Sequence, residues 1–127
     1  MRIAINALCI RANQVLLLRK KETWILPGGK PEPGEYDFSC LIREQQEEMP
    51  HAAIDLGELY GEFTGTTPHS GTALTARVYF ADILGDITPA REIAEARFFS
   101  RNELPGLHIS DITRKILDHA VDTGHLV

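Results

Sequence analysis

The stretch "GGKPEPGEYDFSCLIREQQEEMP", residues 28–50, decides how the chain is read, because its character changes halfway along. Its first half is rich in Gly and Pro. Pro33 and Gly34 suit the central positions of a type II turn, where Pro presets one φ and Gly accepts a positive one. From Tyr36 to Met49 the period changes: Phe38, Leu41, Ile42 and Met49 fall within a narrow arc at roughly 100° per residue, which predicts a helix with a core face. Pro50 ends it, since the residue before Pro is pushed out of the α region and Pro cannot donate to the helix ladder. With the core arc near 0°, Glu47, Glu44 and Glu48 come at roughly 180°, 240° and 280°. All three carboxylates are expected to point away from the core, as neighbours whose mutual repulsion costs roughly a few tenths of a kcal/mol per pair.

Working outward, Ile3 to Ile10 reads as a strand, and "RANQ" turns the chain into Val15 to Arg19 as a hairpin. Trp24 to Leu26 is a third short strand that stops at Pro27, Gly28 and Gly29. Downstream, strands are expected over about 54–63, 72–83 and 96–99, separated by "TGTTPHSG" and "LGDITPAREI". Ser100 with Glu103 forms a capping box for a helical turn. "SDITRKILDHAVDTG" predicts a last helix with Ile112, Ile116, Leu117, Ala120 and Val121 inward and Gly124 past its end. Strands alternating irregularly with helices predict an α/β (α+β) fold, a mixed sheet covered by helices on both faces.

At 127 residues, with 43% hydrophobic and 24% charged residues, the chain fits one domain spanning 1–127 and is unlike disordered or fibrous sequences. No apolar run reaches the length of a membrane span, and "MRIAINALCI" alternates and contains Asn6, unlike a signal peptide, so a cytoplasmic protein is expected. Cys9 and Cys40 lack CxxC spacing and read as buried free thiols. A net charge of -5 disfavours a general electrostatic grip on nucleic-acid polymers or anionic membranes. An anionic small molecule can still bind if a cation lies between.

Carboxylates opposite an apolar stripe are ordinarily a solvated face. The chemical alternative is that they hold Mg²⁺ or Mn²⁺, hard ions that take oxygen ligands and remove the repulsion. The neighbours of the acidic cluster decide for chemistry. Gly29, five residues, Glu35, seven residues, Arg43-Glu44, two residues, Glu47-Glu48: this resembles the box G-x5-E-x7-R-E-U-x-E-E-x-G-U of the Nudix hydrolases (MutT-like), with U an apolar residue. "WILPGGKPEPGE" and "EIAEARFFSRNELPGL" resemble the family's flanking segments, so the likeness covers most of the chain. Three positions depart from it. Gln45 and His51 stand where apolar residues are usual, and Pro50 replaces the Gly.

The resemblance implies a Nudix-type α/β/α sandwich and the following roles. Glu44, Glu47 and Glu48 ligate the divalent ions, with the carbonyl of Gly28 as a further ligand. Arg43 and Glu35 pair to hold the loop against the helix. Glu92 resembles a position that approaches a metal or its water, with Glu95 as the fallback. In such chemistry the ions neutralise the diphosphate and lower the pKa of an attacking water, while a carboxylate takes its proton. Glu44 is the first candidate for that base and Glu92 the second. Arg19 and Lys20 are candidate cations for substrate phosphates, or simply an exposed basic strand end. His69 is a candidate contact or base, and equally a surface residue. Trp24 either stacks on a nucleobase or fills the core. The expected substrate is a nucleoside diphosphate linked to another group, with nucleoside triphosphates or their modified forms first, and ADP-ribose, dinucleoside polyphosphates and nucleotide sugars open. A nucleotide-binding module without turnover is the reading that Gln45, Pro50 and His51 motivate. Oligomeric state is not readable.

Overall fold

Strand β1 (Arg2–Leu8) sets the layers, because its alternate side chains bury on opposite sides. Ile5 and Ala7 pack with Cys40 and Leu41 in one layer. Leu8 joins Val78, Ile112 and Ile116 in the other. The computed structural model describes residues 2–66 and 71–127, and His69 lies outside them. β1 sits in a four-stranded sheet ordered β5 (Gly28–Gly29), β1, β7 (Ala73–Gly85), β6 (Ala52–Thr66). The β1–β7 pairing is parallel and the others antiparallel, so the sheet is mixed. Helix α1 (Asp37–Glu48) covers one face and α2 (Asp111–Asp122) the other. This is the expected α/β/α arrangement.

A second sheet is built on β3 (Gln14–Lys20), flanked by β8 (Ile93–Ser100) on one side and by β2 (Ile10–Arg11) and β4 (Thr23–Ile25) on the other. The expected hairpin of residues 3–10 with 15–19 is made only at its tip, where Ile10 pairs with Val15 and Arg11 with Gln14. Ala12 and Asn13 take positive φ there, as a twisted two-residue hairpin turn requires. Beyond Cys9 the chain leaves β3. A strand buried on both faces gains more from parallel pairing with β7 in the sheet interior than from a local partner.

α1 is rotated relative to expectation. Cys40, Leu41, Gln45 and Glu48 are its buried residues, whereas Phe38 and Ile42 are 46% and 42% exposed. On the same wheel the buried arc centres at roughly 280°, the position of Glu48 itself. Two contacts fix this rotation. Arg77 of β7 donates twice to the Asp37 carboxylate, at 2.9 and 2.8 Å. Phe38 packs edge-on against Tyr79, with ring centroids 5.2 Å apart.

Of the departures at the end of α1, Gln45 finds its partners in the chain that follows the helix. Gln45, 4% exposed, donates its amide to the carbonyls of Met49 at 2.8 Å and Ala52 at 2.7 Å. A side chain thus satisfies the carbonyls of the C-cap residue Met49 and of the first residue of β6. α2 follows expectation: Ile112, Ile116, Leu117 and Ala120 are buried, Ser110 caps Thr113, and Gly124 takes φ +77 beyond its end. Val121 lies at the edge of the buried face, only partly covered. The described residues include no helix long and apolar enough to cross a membrane.

Candidate active site

The site is built where β5 meets α1, and two glycines make the meeting possible. Gly28 has φ +128, and a Cβ there would lie 2.1 Å from the Ile5 carbonyl oxygen, so no other residue fits. At Gly29 a Cβ would meet the Glu44 carboxyl group at 2.7–2.9 Å. Their missing side chains let helical carboxylates lie directly on the loop. The Gly28 N–H donates to Glu48 Oε1 at 3.1 Å. Glu32 and Glu35 close the loop through a turn whose third residue, Gly34, takes φ +76.

Arg43 ties loop to helix. It donates to both oxygens of Glu35 at 2.9 Å, to Glu44 Oε1 at 2.9 Å and to the Lys30 carbonyl at 3.1 Å. These bonds hold the Glu35 pKa down at about 2, the Arg43 hydrogen bonds being the main cause. The same pairing raises that of Arg43.

The other carboxylates shift the opposite way. Glu48 is 4% exposed, and burial pushes its pKa well above the usual carboxylate range. The Gly28 N–H opposes that shift, while Glu44, Glu92 and Glu47 reinforce it. Burial also raises Glu44, partly offset by Arg43. Glu47 is more exposed and lies 3.6 Å from Arg43.

Glu44 and Glu48 open on a cleft of about 430 Å³ whose lining also includes Gly28, Gly29, Glu92 and Lys20, whereas Glu47 is not part of that lining. The C-terminal end of α1 also positions the loop that carries Glu92, because the Glu48 carbonyl accepts from the Ala90 N–H at 2.9 Å. Lys20 Nζ lies 4.0 Å from Glu92. Arg19 does not line the cleft. Successive residues of β3 point to opposite faces, and its guanidinium is held by Glu95 at 3.0 Å and by the Lys21 carbonyl at 2.7 Å. Glu95 is thereby committed to Arg19, and Glu92 is the one of the pair that faces the cleft. Trp24 fills the core, 6% exposed and edge-on to Phe99 at 4.8 Å. Cys9 and Cys40 are free, buried thiols, and burial pushes Cys40 up to about 12.

Four further lining residues, Asn6, Lys30, Ser110 and Thr113, escape sequence reasoning. The usable signal for Asn6 is its chemistry, an amide at an inward position of an apolar strand. The others lie on segments whose approach to the cleft is set by tertiary packing.

The donor set suits a hard divalent ion. Among the described residues no three His, Cys, Asp or Glu side chains form a ready-made metal cage, and Mg²⁺ seldom needs one. It is commonly held by one or two carboxylates, with waters and substrate phosphates completing the octahedron. Glu48 has no ion-pair partner among the described residues, and burial beside Glu44 and Glu92 disfavours its charged form, which an external cation would stabilise.

Comparison with known proteins gives the class to which this fold and site belong. The NUDIX domain model matches residues 1–119, and the chain belongs to that family. A MutT Nudix hydrolase from Burkholderia pseudomallei is 25% identical, with TM-score 0.80 over 92% of this chain and 95% of that one. A UDP-X diphosphatase is 24% identical, with TM-score 0.77 over 98% of this chain and 64% of the other. An ADP-ribose pyrophosphatase from Streptococcus suis is 19% identical, with TM-score 0.66 over 88% and 81%. The latter two share the fold. No curated protein gives a significant match. The chain is accordingly a hydrolase of diphosphate bonds.

Proposed function

We propose that the chain, as one domain over 1–127, is a Mg²⁺- or Mn²⁺-dependent cytoplasmic hydrolase of a nucleoside diphosphate linked to another group. Nucleoside triphosphates or their modified forms are the first substrates to test. The observation that carries this is the buried Glu48, without an ion-pair partner among the described residues and fixed by the Gly28 N–H beside Glu44 in a glycine-floored cleft. Glu44, Glu47, Glu48 and the Gly28 carbonyl would hold the ions. A bound ion supplies charge neutralisation at phosphate oxygens and a water acidic enough to attack phosphorus. Glu44 would take the proton of the attacking water, and Glu92 is the second candidate. Lys20 and Lys30 line the same cleft and offset charge on the substrate. Arg43 and Glu35 keep the loop in register with the helix.

The test is hydrolysis of a nucleotide panel with Mg²⁺, following phosphate and nucleoside monophosphate, beside Glu47→Gln and Glu48→Gln. Turnover that falls at least about 100-fold in the variants and stops with chelator supports the proposal. Nucleotide binding with no turnover would instead identify a recognition module.

A further inference from the structure

Asn6 is the one amide side chain lining the cleft, and its orientation is dictated by its neighbours. Its Nδ2 donates to the carbonyls of Pro27 at 3.2 Å and Leu26 at 3.5 Å. The flipped amide would set Oδ1 against two carbonyl oxygens, so the nitrogen must face them. Oδ1 takes no donor from the described residues, yet no side-chain oxygen among them is both buried and unpartnered. The oxygen is therefore reachable from the cleft, held as an acceptor and unable to donate.

Its position narrows what it meets. Asn6 pairs across the sheet with Gly28, at the carboxylate end, while Ala4 and Arg2 on the same face lead along β1 toward Leu74 and Ile112. An acceptor oxygen repels phosphate, so it faces a part of the substrate that carries hydrogen. No aromatic side chain lines the cleft among the described residues, so its aliphatic walls hold a base through apolar contact without stacking. Discrimination then falls to the few polar atoms present.

Resting on the proposed nucleotide hydrolysis, we infer that Asn6 is a specificity-determining residue whose fixed Oδ1 accepts a hydrogen bond from an N–H or O–H donor of the nucleoside. The donor is either an exocyclic amino group of the base or a ribose hydroxyl. Substrates that present it are selected over those that lack it.

The experiment compares kcat/KM of the full chain and Asn6→Leu on matched pairs: GTP against ITP and ATP against purine riboside triphosphate for the amino group, ATP against 2′-dATP and 3′-dATP for the ribose hydroxyls. In the unsubstituted protein one arm shows a preference of about tenfold for the donor-bearing member, as one hydrogen bond allows. Asn6→Leu collapses that preference toward unity. Because Asn6 also braces Pro27, the variant can lower every rate, but a loss in the loop acts on both members of a pair and leaves their ratio unchanged. An unchanged ratio, or no preference in any arm, overturns the inference. Calorimetric binding of the same pairs with Mg²⁺ gives the ratio independently of turnover. Binding discrimination that depends on Asn6 in a protein without turnover would uphold the inference and sink the hydrolase reading.

Discussion

Gly29→Ala separates the chemistry of the site from the stability of the fold. The backbone at Gly29 lies outside the left-handed region, and the three atoms nearest its added Cβ all belong to the Glu44 carboxyl group, with Cδ at 2.7 Å where ordinary contact begins at 3.4 Å. The carboxyl must retreat by the difference, 0.7 Å, against the Arg43 bond that holds it at 2.9 Å. A flexible side chain can make that move, so the fold survives: Tm should change by less than about 4 °C, equivalent to about 1 kcal/mol in a domain of this size. Displacement of a group that ligates or takes a proton costs far more, because a misplacement of about 1 Å lowers a rate by about 100-fold. The assay is steady-state hydrolysis over a Mg²⁺ series, read beside a thermal melt. A variant with kcat/KM about 30- to 100-fold down and a native-like melt is expected. Gly34→Ala is the control: it sits at φ +76 with nothing within 4 Å, so it should lose about 1 kcal/mol of stability and keep its activity. Activity of Gly29→Ala within threefold of the unsubstituted protein would refute the placement of Glu44 at the reacting centre.

Gln45→Leu removes the donor to two carbonyls and should cost about 2 kcal/mol in urea unfolding, and Pro50→Gly, by restoring a Gly terminus, should recover part of it in the double variant. Strictly additive losses would show that the two positions do not compensate. The Asp37 pKa is lowered, chiefly by its Arg77 hydrogen bonds, so the unfolded chain binds that proton more readily. Its stabilisation is complete above about 3.8, its unperturbed value, and is lost as pH falls through the lowered value in the folded protein. Asp37→Asn should therefore flatten the acid limb of the stability curve and cost about 1–2 kcal/mol near neutrality. An unaltered acid limb would deny the clamp its role. Glu48 has the opposite sign: its raised pKa means the folded metal-free protein binds more protons, so stability falls as pH rises above about 4.5. Glu48→Gln should remove that decline in chelator-treated protein, as guanidinium titrations at several pH values would show.

The spacing of Glu44, Glu47 and Glu48 is legible in sequence because a helix fixes which residues are neighbours. The rotation of that helix is not, because a hydrophobic wheel assumes that only apolar residues are buried. Here Glu48 occupies the inner arc beside Gln45, which the wheel already places there at roughly 340°, while Phe38 and Ile42 sit at its border. The loop-to-helix pairing of Arg43 with Glu35 is what the family resemblance implies, and the structure makes it at 2.9 Å. The choice between Arg19 and Lys20 does not, since it depends on which face of β3 meets the cleft, and that is set by β8 some 75 residues away. Trp24 illustrates the same limit, its burial against Phe99 being a tertiary fact. Asn6 reads in sequence as an interruption of an apolar strand. Only the Leu26 and Pro27 carbonyls show which way its amide must point.

The central claim is that the buried carboxylates are held ready for a divalent ion. The most direct measurement is a thermal melt of the unsubstituted protein and of Glu48→Gln across a MgCl₂ titration, without substrate. An ion at about 100 times its Kd contributes about 2.7 kcal/mol, so the unsubstituted protein should gain about 10 °C while Glu48→Gln stays nearly flat. Equal shifts in both proteins, or none in either, would contradict the account.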